Sequence, residues 1–227
     1  DCRPGRPCEI CDGHCVVCEG LVPPGKLVGR AAALVNDGAA DYCVAETDYD
    51  QTAIAAARVK YQGSRAPLCA ALEAKDEDAA EALLDGGDDP NEVDEDGRNA
   101  LQVAAWKGCR LPLFHRILGM IHNVNAGVNG GFTALILAAG WNRLDMVFSL
   151  MNHPGIDVNI QGGWNNMTAL NMAVHNNHPA ILAQLVSDDR VDTSLKTKTG
   201  LTPLKYAILT GLDECAKILR EHGAPEE

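Results

Sequence analysis

From residue 64 onward, apolar positions recur as short helical stripes rather than as alternating strand patterns. Leu and an Ala three residues later lie on one face of a helix. That pair occurs five times, at Leu68/Ala71, Leu101/Ala104, Leu135/Ala138, Leu170/Ala173 and Leu204/Ala207, with steps of 33, 34, 35 and 34 residues between the leucines. A fixed period of this length marks an array of supersecondary units. After a short turn, each unit carries a second stripe of larger residues, such as Val147, Leu150 and Met151, or Leu182, Leu185 and Val186. The pattern predicts helix hairpins. One hairpin cannot bury its apolar face alone, so the units are expected to stack.

The residues before each Leu are helix-start signals. Thr133, Thr168 and Thr202 stand two positions before it, with Asn99 and Ala66 in the same place, and Gly97, Gly131 and Gly200 stand four positions before it. A hydroxyl or amide there satisfies a free backbone N–H, and Pro203 fits the first helical position. This combination resembles the ankyrin repeat, whose core pattern is Asp-x-x-Gly-x-Thr-Pro-Leu-His-x-Ala-Ala, over residues 64–225. The resemblance implies an all-α solenoid of stacked helix hairpins with short β-turn loops. It also implies a protein that binds protein partners, not an enzyme.

The chain departs from that pattern in two ways. Cys69, Gln102, Ile136, Asn171 and Lys205 replace the His after each Leu, and with them the buried hydrogen bond of the imidazole is expected to be lost. Leu111-Pro112-Leu113 is expected to shift or shorten the second helix of its unit.

The chain before the array differs in character. Residues 1–25 form a Cys-rich extension, residues 26–63 read as short helices (Leu27 to Val35, Thr52 to Lys60) capping the array, and residues 64–227 form the repeat domain. Ile54 lies only 14 residues before Leu68, which leaves no room for a complete repeat. Within the extension, Cys8-x-x-Cys11 and Cys15-x-x-Cys18 offer four thiolates for zinc. The spacing Cys11-x-x-x-Cys15-x-x-Cys18 also occurs at iron–sulfur sites, and two disulfides would staple the same segment. These alternatives stay open, and no cofactor is certain. A metal-binding or redox-responsive module anchored by the array is accordingly the second functional reading. Cys69, Cys109 and Cys215 read as small buried hydrophobes.

Charge narrows the classes of partner. With 19 basic against 31 acidic residues the formal net charge is -12, and no basic cluster is present to replace counterions on a nucleic acid. No apolar run approaches the ~20 residues a membrane span needs. The chain is expected to be soluble, in the cytoplasm or in an organelle after removal of a targeting peptide. Twelve carboxylates and two cations lie between Glu73 and Arg98, a density able to steer a partner or assembly with a basic surface. Glu92-x-Asp94-x-Asp96-Gly97 opens like a calcium loop, but Val103 stands where the bidentate Glu belongs.

The resemblance implies two partner surfaces: the loop tips, and the concave face made by the first helices. The candidate tips are Glu95-Asp96, Asn129-Gly130, Trp164-Asn165 and Lys198-Thr199. Candidates at the far ends of the first helices are Trp106, Trp141 and His175. All three tryptophans lie off the Leu/Ala register, and Trp is a residue of interface hot spots.

Overall fold

The computed structural model describes residues 50–226. The Cys-rich extension with Cys8, Cys11, Cys15 and Cys18, and the helix expected over Leu27 to Val35, lie outside the described residues.

Eleven helices are described. The first helices of the five units are α2 (Pro67–Glu73), α4 (Ala100–Lys107), α6 (Ala134–Gly140), α8 (Ala169–His175) and α10 (Pro203–Thr210). The second helices are α3 (Glu77–Asp85), α5 (Leu111–Met120), α7 (Leu144–Met151), α9 (Pro179–Val186) and α11 (Asp213–Glu221). First helices pack on first helices from α2 through α10, and α5, α7, α9 and α11 stack in a second row. The repeated Leu and Ala are all buried at this seam. Ala leaves room for the next helix to approach, and Leu fills the space between units.

The helix starts form as their side chains dictate. Asn99, Thr133, Thr168 and Thr202 each accept a hydrogen bond from the backbone N–H three residues on. Asn99/Gln102 and Thr168/Asn171 close reciprocal capping boxes, which satisfy two free donors at once.

α1 (Gln51–Lys60) precedes the five units. Thr52-Ala53-Ile54 with Ala57 has first-helix spacing, yet α1 packs on α3 and so belongs to the second-helix row. Ile54 and Ala57 are buried there. The Leu111-Pro112-Leu113 segment shifts the start of its helix by one residue, to ten after the repeat Leu against nine in the other four units, but does not shorten it. Pro112 sits in the first turn of a 10-residue α5, where its missing N–H would have had no partner anyway.

The expected loss of a buried bond at the consensus His position is also corrected. Gln102 Nε2 donates to the carbonyl oxygen of Ala126 at 2.8 Å, Asn171 Nδ2 to that of Leu195 at 3.5 Å, and Cys69 Sγ to those of Glu92 (3.8 Å) and Arg98 (3.6 Å). Three different side chains thus reach the loop after their own unit. Of the five, only Ile136 and the exposed Lys205 make no such link among the described residues.

A second ladder runs through the loops after the second helices. Asn91, Asn125 and Asn159 stand 34 residues apart. Each donates from Nδ2 to a carbonyl of the next unit, at Met120, Gly155 and Arg190, and accepts from a backbone N–H there, at His122, Asp157 and Asp192. These bonds satisfy loop backbone that no helix can.

Candidate partner-binding groove

A groove of about 830 Å³ opens between α6 and α8 and the tips that precede them. Its base includes Ile136, Leu137, Met167 and Met172. Two glycines let the tips meet backbone to backbone. A Cβ on Gly162 would overlap the carbonyl oxygen of Gly131, and one on Gly163, at φ +74°, would overlap the Phe132 ring. Gly163 N–H donates to the Gly130 carbonyl at 3.0 Å, and Lys198 N–H to that of Asn165 at 2.8 Å.

Trp164 rises from this joint. Its ring meets Phe132 edge to face, with centroids 6.3 Å apart and planes at 87°, the arrangement favoured by the ring quadrupoles. Even so it is 88% exposed. Trp141 forms the wall at the helix-end side and is 55% exposed. Trp106 lies one register position earlier relative to its Leu. It is half-buried, 6.3 Å from Trp141, with Lys107 Nζ 3.7 Å and the Arg98 guanidinium 4.8 Å from its ring centroid. Cations over an indole face are attracted by its quadrupole, so Trp106 is braced while Trp141 and Trp164 stand open.

The polar rim is partly committed to the fold. Asn176 Nδ2 donates to the Gly140 carbonyl at 2.9 Å, and His178 Nε2 lies 3.2 Å from the same oxygen. The next unit thereby caps the free end of α6. His175 leaves its ring to the groove and packs against Tyr206 at 5.3 Å.

Of the candidate residues, Trp141, Trp164, Asn165 and His175 come together in the groove, with Trp106 beside it. Glu95, Asp96, Asn129 and Lys198 do not line it. Asp96 pairs with Arg98 at 2.8 Å. Asn129 adopts φ 48° and turns its tip. Lys198 holds the same place before its Leu as Trp164, one repeat further on, and is exposed. Phe132, Met167 and Met172 carry no binding signal in the sequence, because apolar residues there read simply as core.

The acidic segment proves to be largely internal wiring. Arg98 pairs with Glu73, Asp94 and Asp96, and Arg110 with Glu77, Asp78 and Glu81. Arg116 pairs with Asp85, Arg58 with Asp88 and Lys60 with Asp76. Nine of the twelve carboxylates are held this way, which leaves less free charge to steer a basic partner than the sequence suggests. The Lys60 hydrogen bond holds the Asp76 carboxyl below its ordinary range, with help from the Ala79 N–H that Asp76 caps. Asp94, inside the calcium-like loop, accepts from Arg98 Nε and from two backbone N–H groups. The loop is organised around a guanidinium.

Burial pushes the thiols of Cys69 and Cys109 up to about 12, with nearby carboxylates (Asp94 and Glu77) adding to it. Neither forms a thiolate nucleophile near neutral pH. Among the described residues, no group of three or more His, Cys, Asp or Glu is placed to hold a metal ion, and no helix is long and apolar enough to cross a membrane.

A family model described as ankyrin repeats (three copies) matches residues 68–162 and 159–226. The chain is 29% identical over 162 residues to the nuclear factor NF-kappa-B p105 subunit of Gallus gallus, which takes in 70% of this chain and 16% of that protein. It is 32% identical over 99 residues to Rabankyrin-5 of Mus musculus, taking in 43% of this chain and 8% of that protein. It is 32% identical over 139 residues to the photoreceptor ankyrin repeat protein of Homo sapiens, taking in 57% of this chain and 27% of that protein. The chain thus spans about a quarter or less of the length of these relatives. The repeated Leu/Ala seam, the capped helix starts and the family match agree, and the chain belongs to the ankyrin-repeat family.

Proposed function

We propose that this chain binds a protein partner through the groove between α6 and α8, with Trp141 and Trp164 as its anchors. Ankyrin repeats are in general protein–protein interaction modules, and their family consists mainly of non-enzymatic adaptors. One observation carries the finer reading: two tryptophans, 55% and 88% exposed, border the same apolar groove. Exposed Trp is unfavourable in a free chain and strong at interfaces, where it contributes contact area with little side-chain entropy to lose. The base of the groove is buried at Ile136 and Met167 and half-buried at Leu137 and Met172, so a docked segment would meet a preformed surface.

The test uses peptides selected from a random library on the intact chain. Trp141→Ala and Trp164→Ala are each expected to weaken the selected peptides by more than about fivefold, close to 1 kcal/mol. Both side chains are exposed, so the unfolding midpoint should stay nearly constant. Unchanged affinity in both variants would refute the assignment.

A further inference from the structure

The net charge of -12 conceals a segregation by repeat and by face. In the last three repeats, the tips and first helices carry no carboxylate: residues 124–143, 158–187 and 193–212 contain no Asp or Glu. Their charged residues are Arg143, Lys196, Lys198 and Lys205. Asp145, Asp157, Asp188, Asp189 and Asp192 all fall in second helices or the loops after them. No Asp or Glu lines the groove.

No Lys or Arg lines the groove itself, but several adjoin its lining residues, Lys196 through the bond its carbonyl accepts from Gln161 beside Gly162. Among the described residues, Lys107, Lys196 and Lys198 make no ion pair, unlike Arg58 on α1, Arg98, Arg110 and Arg116 of the second repeat, and Arg190, Lys217 and Arg220 further on. Lys198 adjoins the groove on the tip side, where its N–H bonds to the groove residue Asn165, and its side chain is exposed one repeat beyond Trp164. Lys107 adjoins it at the helix-end side, over Trp106 and so next to Trp141. Arg143 bonds to the Lys107 carbonyl at 2.7 Å and makes no ion pair among the described residues. At the tip position equivalent to Trp164 and Lys198, the second and third repeats carry Glu95 and Asn129. The row of tips therefore runs from negative to positive along the array.

We propose that the groove takes an extended acidic segment of a partner protein, with an apolar or aromatic side chain seated between Trp141 and Trp164 and carboxylates directed to Lys196/Lys198 and to Lys107/Arg143. This rests on the groove reading above and adds the chemistry of the occupant. Uncompensated like charge around an apolar cleft favours the opposite charge in whatever fills it and disfavours like charge. The same field sets the polarity of the occupant, because Glu95-Asp96 lies toward the N-terminal repeats and would repel acidic residues there.

A random dodecapeptide library panned on the intact chain, with Trp164→Ala, Lys196→Glu/Lys198→Glu and Lys217→Glu variants in parallel, separates the possibilities. The unmodified chain should enrich peptides with an apolar or aromatic residue flanked by Asp or Glu. The double reversal should lower their affinity by about tenfold, from two exposed charge pairs reversed in sign, and should shift selection toward Lys and Arg flanks. Lys217→Glu, on α11 away from the groove, should leave both unchanged. Affinity should also fall severalfold between low and high salt. Trp164-dependent peptides with neutral or basic flanks would overturn the acidic occupant and leave the groove intact. Enrichment that ignores Trp164, no enrichment, or a Trp164-dependent dimer of the chain in sedimentation would overturn the groove as well.

Discussion

Gln102 offers the sharpest test of how this array replaces the family's histidine. Its side chain is 2% exposed and works at both ends. Oε1 accepts from the Asn99 N–H at 3.0 Å, and Nε2 donates to the Ala126 carbonyl at 2.8 Å and, at longer range, to that of Phe132 at 3.4 Å. Gln102→Ala removes two good hydrogen bonds, each worth about 1 kcal/mol net, and one buried methylene worth about 0.8 kcal/mol. The sum is about 3 kcal/mol, large against a typical total stability of about 5–15 kcal/mol. Urea unfolding followed by helical circular dichroism reads this as a lower midpoint with an unchanged slope. Gln102→Glu separates the two bonds. It keeps the acceptor for Asn99 but sets a carboxylate against the Ala126 carbonyl. Burial and that oxygen raise the folded-state pKa of the introduced carboxyl above its unfolded value. With that carboxyl protonated, below the unfolded pKa, the variant is nearly intact, and its deficit grows as pH rises toward the folded pKa. Relative to the parent chain, the variant should be close to normal near pH 4 and weakest at pH 7. A Gln102→Ala loss below about 0.5 kcal/mol, or a Gln102→Glu deficit that ignores pH, would refute the cross-repeat role.

Three other outcomes follow from packing and burial. Leu135→Ala should cost about 2–5 kcal/mol in the same assay, because the seam between neighbouring first helices cannot collapse around the void; a loss within error would remove Leu135 from the core. Gly162→Ala should cost about 1–3 kcal/mol, since its Cβ has to displace the Gly131 backbone. That shift should also weaken Trp164-dependent binding, and a neutral variant would show that the tips can part freely. In native protein at pH 8, alkylation followed by peptide mass spectrometry should find Cys69 and Cys109 unmodified long after unfolded protein has reacted. A thiol held near 12 is only about one part in ten thousand thiolate at that pH, and rapid labelling of buried Cys69 or half-buried Cys109 would contradict that suppression.

Sequence alone determined the repeat. Leu and Ala at a 33–35-residue period, with Thr or Asn two residues earlier, specify short capped helices whose apolar faces have no outlet except a neighbouring copy, so period and pairing of faces follow from local chemistry. The Asn91, Asn125 and Asn159 ladder was equally periodic, but its meaning lay in carbonyls of the following unit that no local pattern reveals. Tertiary structure decided whatever depended on which units touch. It placed α1 in the second-helix row despite first-helix spacing, because its apolar face fits α3. It gave Cys69, Gln102 and Asn171 one shared task, since all that the loop carbonyls require is a donor at the right reach. It tied up the acidic segment with five cations, four of them outside that segment. Trp164 and Trp141 are far apart in their own repeats and border one groove only because the stack sets the tip of one unit against the first helix of the unit before it. Proximity between units is a property of the stack, and no single repeat contains it.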